Sequence, residues 1–226
     1  MKKGDIIKLS YTGRISGPDT VFDTTDAKVA EKEGIKNNKM AYGPVTIIVG
    51  ETNLIKGVEE AIESMKEGEE KTIEIPPEKA YGKRDPNRIV VTPLKEFKAR
   101  NITPYPGMVI QTEEGYARVQ SVNGGRVRLD FNHELAGKTL KFTLKVEKLL
   151  KEPKEQIEGL LEAEFPGIPA KEIEIAVGKD SVTITTTPAV EMANGSATRK
   201  KNLADKILKH IKGIKRVIYK QEFSKE

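Results

Sequence analysis

The chain has 226 residues, a formal net charge of +5, 37% hydrophobic residues and no cysteine. It is long enough for one to three domains with buried cores, and its composition is that of an ordinary folded protein. Disulfides, thiolate catalysis and cysteine-ligated zinc are excluded, no apolar run approaches bilayer-spanning length, and the interspersed charges describe a solvated surface, not a nucleic-acid footprint. Met1–Asp5 lacks the apolar core of a secretory signal, which predicts a cytoplasmic protein.

Asp5–Tyr11 alternates as a strand and ends in Thr12-Gly13. Val21-Phe22-Asp23-Thr24 follows, bringing an aromatic and a carboxylate to one rim. An isolated Tyr11 is core filling, and a lone Asp23 after a strand is a cap or turn residue. Ala27–Glu33 has room for two helical turns, ended by Gly34, inside an excursion over residues 26–44 that reads as a flap. Val45–Gly50 is a strand. Leu54-Ile55-Lys56-Gly57 turns into a short helix with Val58, Ala61, Ile62 and Met65 at helical spacing. Lys71–Ile75 alternates as a strand, and Pro76-Pro77 stops the ladder because neither has an N–H to donate. Ala80-Tyr81-Gly82 returns an aromatic hydroxyl toward the helix start.

From Lys83 the texture changes. Residues 88–129 carry short β-type pieces and one or two helical turns around Phe97, and Asn123-Gly124-Gly125 is a hairpin signal. An insert this small has a thin core. Ile89, Val91, Phe97, Tyr105, Met108 and Ile110 are therefore divided between that core and a surface able to grip other chains. Thr139–Val146 is a last strand with Leu140, Phe142, Leu144 and Val146 on one face. Lys151–Lys154 marks a boundary. A compact α+β domain follows: helix 154–164, strands 173–177 and 181–187, helix 198–211 and strand 217–223, an antiparallel sheet with two helices on one face. The stripe Leu203, Ile207, Leu208 and Ile211 is core. Arg199-Lys200-Lys201 puts positive charge at a helix start, either a partner contact or a solvated end.

The stretches Tyr11-Thr12-Gly13, Val21-Phe22-Asp23, Leu54–Ile62, Ile73–Gly82 and Asp130–Phe142 resemble the FKBP-type peptidyl-prolyl isomerases, in particular the SlyD branch with its insert-in-flap domain. The resemblance covers residues 1–151 and leaves the last third unexplained. It implies an FKBP-like antiparallel sheet wrapped on a short helix with a small all-β insert-in-flap domain; with the C-terminal α+β domain read from its own pattern, the expected fold class is α+β. The expected domains are 1–84 with 128–151, 85–127, and 154–226. By resemblance, Phe22, Leu54, Ile55, Leu135 and Phe142 form an apolar bowl with Val58 at its floor and Val49 and Ala80 beside it. The Ile55 N–H and the Tyr81 hydroxyl would bind substrate carbonyls, and Tyr11 would hold Asp23 beside the twisting amide. The floor is Trp in many members and Val58 here, and a wall usually aromatic is Val45, so the platform for macrolide inhibitors such as FK506 is reduced. His133 is a turn residue rather than a metal ligand, and the His-rich tail of SlyD is absent.

The implied activity is isomerisation of Xaa-Pro bonds with no cofactor and no metal, coupled to capture of unfolded or nascent chains by the insert. A holdase or assembly adaptor with a vestigial pocket is the alternative. Membrane and nucleic-acid partners are not expected, and an open sheet edge in the C-terminal domain suits a homodimer.

Overall fold

The computed structural model describes residues 1–38, 40–52, 54–170 and 173–222. Two compact units divide the chain: Met1–Ile75 with Leu140–Glu226, and Pro76–Thr139.

In the first unit, β1 (Ile6–Ile15), β2 (Thr20–Thr24), β3 (Val45–Ile48), β4 (Glu70–Ile75) and β9 (Leu140–Leu150) make a five-stranded antiparallel sheet. β9 pairs with β1 from Ile6↔Leu150 to Ile15↔Leu140, with one bulge at Lys8/Leu9. β2 and β3 share the other edge of β1, and β4 lies outside β9. Alternation along β9 buries Leu140, Phe142, Leu144 and Val146, as a strand with one wet face requires. Both long strands run several residues beyond their expected ends, because each finds a partner along its whole length.

Two helices belong to this sheet. α1 (Ala27–Lys32) is capped by the Asp26 carboxylate, which accepts from the Lys28 and Val29 N–H groups. α2 (Lys56–Ser64) buries Val58, Ala61 and Ile62. Its start lies so close to β4 that a Cβ on Gly57 would sit 2.4 Å from Ile75 Cγ2, so only glycine allows that approach.

The C-terminal residues contain α4 (Pro153–Glu164), β10 (Glu174–Val177), β11 (Ser181–Thr186), α5 (Pro188–Met192), α6 (Ser196–His210) and β12 (Arg216–Gln221). The expected antiparallel sheet is mixed: β10–β11 is antiparallel, but β12 runs parallel to β11. The α6 crossover returns the chain to the same end of the sheet, which makes the last pairing parallel. α5 was not anticipated, Leu208 is exposed while Leu203, Ile207 and Ile211 are buried, and Phe223 lies outside the described residues. The basic helix start is occupied internally. Arg199 donates to the Glu164 carbonyl at 2.7 Å and lies over the Phe165 ring, and Lys200 pairs with Glu191 at 2.8 Å.

These residues share one apolar core with the strand ends. Ile6, Ile48 and Leu150 cluster with Ile157, Leu160, Leu161 and Phe165. α4 meets the sheet at Gly159, where a Cβ would be 2.7 Å from Leu150 and 3.1 Å from Thr46. Ion pairs stand near the contact: Lys8–Glu162, Lys148–Glu155 at 2.7 Å and Lys209–Glu51 at 2.5 Å, and Glu51 also shares a hydrogen bond with His210 Nε2 at 2.7 Å.

In the second unit, β5 (Ile89–Pro93), β8 (Arg126–Asp130), β7 (Gly115–Asn123) and β6 (Val109–Thr112) form an antiparallel sheet in that order. The β7–β8 hairpin turns through Gly124 and Gly125, both at positive φ, as a tight two-residue loop demands. α3 (Leu94–Ala99) lays Phe97 over one face, against Ile110, Ala117, Val119, Val127 and Leu129. At the base, the buried Asp130 carboxylate accepts from Arg84, from Gln120 at 2.9 Å, and from the Asn132 N–H and side-chain amide. Asn132 in turn exchanges two hydrogen bonds with the Asp85 backbone.

Gly159→Val should cost about 1–3 kcal/mol, because the branched side chain overpacks the contact with Leu150 and Thr46; a lowered urea midpoint measures it. The Lys209 hydrogen bond, helped by His210, holds the Glu51 carboxyl below its ordinary range. Its contribution is therefore present above that range and lost as pH falls through the depressed value. Glu51→Gln should be slightly less stable than the parent at pH 7, and the gap should close on acidification and shrink in high salt.

Candidate active site

Three strands of the first unit bring the central residues together. Tyr11 stands on β1, Asp23 and Phe22 on β2, and Phe142 on β9. The Tyr11 hydroxyl donates to Asp23 Oδ2 at 2.8 Å, which fixes the direction of the carboxylate. The Phe22 and Phe142 rings meet edge to face at 5.6 Å, and Tyr11 tilts against Phe142 at 6.3 Å, distances at which aromatic quadrupoles attract.

Gly13 makes this packing possible. It is buried on β1 opposite both Asp23 and Phe142, and a Cβ there would lie 2.7 Å from Phe22 and 3.0 Å from Phe142. Its φ is not in the left-handed region, so the requirement is space. Gly13 stands in the Tyr11-Thr12-Gly13 motif, but its closeness to one ring on β2 and another on β9 is visible only once the strands are paired.

The other expected residues of this unit sit at the helix start. Val58 is buried on α2, while Leu54 and Ile55 are half-buried just before it, with Ile55 at the N-cap. Val49 is fully buried, exchanging backbone hydrogen bonds with Gly4 and Asp5. Leu54 and Tyr11 also border a cleft of about 850 Å³ that runs along β3.

Within the second unit, Tyr81 stacks flat on His133, with ring centroids 4.0 Å apart and planes 2° from parallel. His133 Nδ1 accepts the Leu135 N–H at 3.1 Å. One imidazole thus ties the expected hydroxyl to the expected apolar lip, a structural role in the turn before β9. Ala80 is half-buried at the end of a 3₁₀ turn, Pro77–Lys79.

The insert residues divide. Phe97 and Ile110 are 7% and 8% exposed and belong to the unit's own core, so neither is available to grip a chain. Ile89 and Met108 are half-buried. Val91 and Tyr105 are 55% and 61% exposed. The reading missed Val109 and Tyr116, at 54% and 69%. Their signal was the alternation itself, since each adjoins a core residue, Ile110 or Ala117, on its strand. By register, Val91, Val109 and Tyr116 share the face of the sheet opposite Phe97.

Among the described residues, no group of three His, Asp or Glu side chains is placed to hold a metal ion, and no helix is long and apolar enough to cross a membrane. The arrangement sets an apolar aromatic wall beside a hydrogen-bond acceptor of fixed direction.

Comparison with known proteins accounts for nearly the whole chain. Residues 1–98 match the family profile of the FKBP-type peptidyl-prolyl cis-trans isomerase, residues 90–135 that of the FKBP26 IF domain, and residues 153–224 that of the FKBP26 C-terminal region. The short-type peptidyl-prolyl cis-trans isomerase of Methanocaldococcus jannaschii is 44% identical over 146 residues, spanning 65% of this chain and 92% of that protein. The FKBP-type isomerase SlyD of Helicobacter pylori is 30% identical over 115 residues, 50% of this chain and 62% of its own length. An FKBP-type 16 kDa isomerase of Escherichia coli is 27% identical over 118 residues, 50% of this chain and 77% of its own length. With the greater part of so similar a relative aligned, the chain belongs to the FKBP-type peptidyl-prolyl cis-trans isomerase family.

Proposed function

We propose that the protein isomerises Xaa-Pro bonds in unfolded polypeptides, and that its insert holds those polypeptides near the pocket. The observation that carries this reading is the Tyr11–Asp23 hydrogen bond beside the Phe22–Phe142 wall, closed over Gly13. Cis and trans prolyl bonds differ by about 0.5–1 kcal/mol but interconvert over tens to hundreds of seconds, because the amide must lose resonance as it twists. No covalent bond forms. An apolar bowl of Phe22, Phe142, Leu54 and Ile55 over Val58 strips water from the amide. The Asp23 carboxylate, aimed by Tyr11, and the Ile55 N–H then favour the twisted amide over both planar forms.

The insert adds reach. Val91 on one outer strand, Val109 and Tyr116 toward the other, and Tyr105 on a loop offer exposed apolar side chains to extended chain segments, with Arg118 and Arg128 on the same face between them. Holding a chain there raises the concentration of its prolines at the pocket, so the second encounter becomes intramolecular. The edge strands β10 and β12 of the C-terminal sheet further suit pairing with a second copy of the protein.

Gly13→Ala should reduce kcat/KM on a short Xaa-Pro peptide by about tenfold or more, a loss of at least ~1.4 kcal/mol of transition-state stabilisation. Circular dichroism should remain that of a folded chain. Replacing Val91, Val109 and Tyr116 together by Ser should leave short-peptide turnover within about twofold while slowing proline-limited refolding of a protein substrate about tenfold. Equal losses on both substrates would sink the two-site picture. If the parent protein suppresses aggregation but turns over no peptide, the holdase reading replaces this one.

A further inference from the structure

The cleft along β3 is not used by the chemistry above. It measures about 850 Å³ and lies between two walls. One is the segment Tyr42–Ile48; the other is the end of α4 with the loop Pro166–Pro169. It reaches Tyr11 and Leu54, so it opens onto the candidate pocket. We infer that this cleft is an extended subsite of the pocket, in which the C-terminal residues seat the uncharged, extended stretch of polypeptide flanking the substrate proline. The inference rests on the isomerase reading and names the part of the substrate that reading leaves unplaced.

Three observations support it. The first is size: the volume falls in the range of pockets that bury a ligand of several residues. The second is chemistry. Pro44, Val45, Leu160, Ala163, Ile168 and Pro169 present apolar surface, and the charged groups at the rim are already paired within the protein. Lys8 is bound to Glu162, Lys206 to Glu164 at 2.5 Å, and Glu51 to Lys209 and His210. A cation or an anion gains little there, whereas an apolar chain leaves those pairs intact.

The third is the sheet edge. Among the described residues β3 pairs with β1 alone, and Thr46 on its far side has no strand partner. Val49 exchanges its backbone bonds inward with Gly4 and Asp5, while the Ile48 N–H turns outward to Thr52 Oγ1. Antiparallel alternation therefore turns the N–H and C=O of Thr46 outward as well, along the cleft. An extended chain laid there gains main-chain hydrogen bonds of the strand-addition kind, which are blind to sequence. That suits a protein acting on many unfolded substrates.

The contact that holds α4 against β3 also fixes the width of the cleft. Leu160 lies in the shared core and lines the cleft at the same time, so the far wall is set by the packing of Ile157, Leu161 and Leu150.

The test compares kcat/KM for a four-residue Xaa-Pro peptide with peptides lengthened by five apolar residues on one side of the proline or the other. The full-length protein should turn over one lengthened series about tenfold better than the short peptide. In Ala163→Trp, which fills the cleft, that ratio should fall to about one. A ratio unchanged by Ala163→Trp, or no gain from lengthening in the parent, overturns the subsite. Failure of the parent to turn over the four-residue peptide overturns instead the isomerase reading beneath it. Because the chain has no cysteine, Ala163→Cys supplies a second measurement with a single thiol. A lengthened peptide carrying an activated disulfide should label it, and excess unmodified lengthened peptide should protect it; labelling without protection overturns the inference.

Discussion

The antiparallel pairing of β1 with β9 is the constraint on which the rest of the first unit depends. One face of that ladder presents Leu140, Phe142, Leu144 and Val146 to the core. Because side chains alternate, a slip of one residue would turn all four outward and carry Phe142 away from Gly13. The register that makes the core is thus the register that builds the aromatic wall. At the opposite end of the ladder, Ile6 and Leu150 extend past the site and become the seed around which α4 packs. Stability, site and attachment of the C-terminal residues share one set of backbone hydrogen bonds.

Much of this was legible in the residues. The helical spacing of Val58, Ala61 and Ile62 gave α2, the alternation from Leu140 to Val146 gave the core face of β9, and Asn123-Gly124-Gly125 gave a tight turn where the chain makes one. These are local signals. The family resemblance placed Tyr11 and Asp23 as a hydrogen-bonded pair, and the structure brings them to bonding distance. What could not be read depended on pairing at a distance. Nothing local in Arg216–Gln221 distinguishes a parallel partner from an antiparallel one. Phe97 and Ile110 look as available for capture as Tyr105 until the sheet shows which face is covered. The clash that reserves Gly13 for glycine involves rings on two other strands.

Charge in the C-terminal residues follows the same logic. Three basic residues at a helix start look like a surface waiting for a partner. Folding brings Glu191 and the Glu164 carbonyl to two of them, and the Lys200 hydrogen bond, with that of Thr186, lowers the Glu191 carboxyl below its usual range. Positive charge at the unfavourable end of a helix is tolerated because acceptors from α4 and α5 stand against it. Tyr219 completes the arrangement by donating its hydroxyl to the Lys200 carbonyl at 2.7 Å.

The Asp130 node carries a consequence for the evolution of the insert. Arg84 and Asp85 stand where the chain enters the small sheet, Asp130 and Asn132 where it leaves, and one buried carboxylate with one amide fastens entry to exit. The ends of a stretch of some forty residues are thereby held together, and the entropy of closing that loop rises only slowly with its length, about 0.6 kcal/mol per doubling. A segment knotted at its own neck behaves as a cartridge. Residues between the two strands of the neck can be lengthened, shortened or exchanged wholesale, and the natural seams for such grafts lie just inside Asp85 and Asp130. Cutting on the other side of those residues would strand a buried charge.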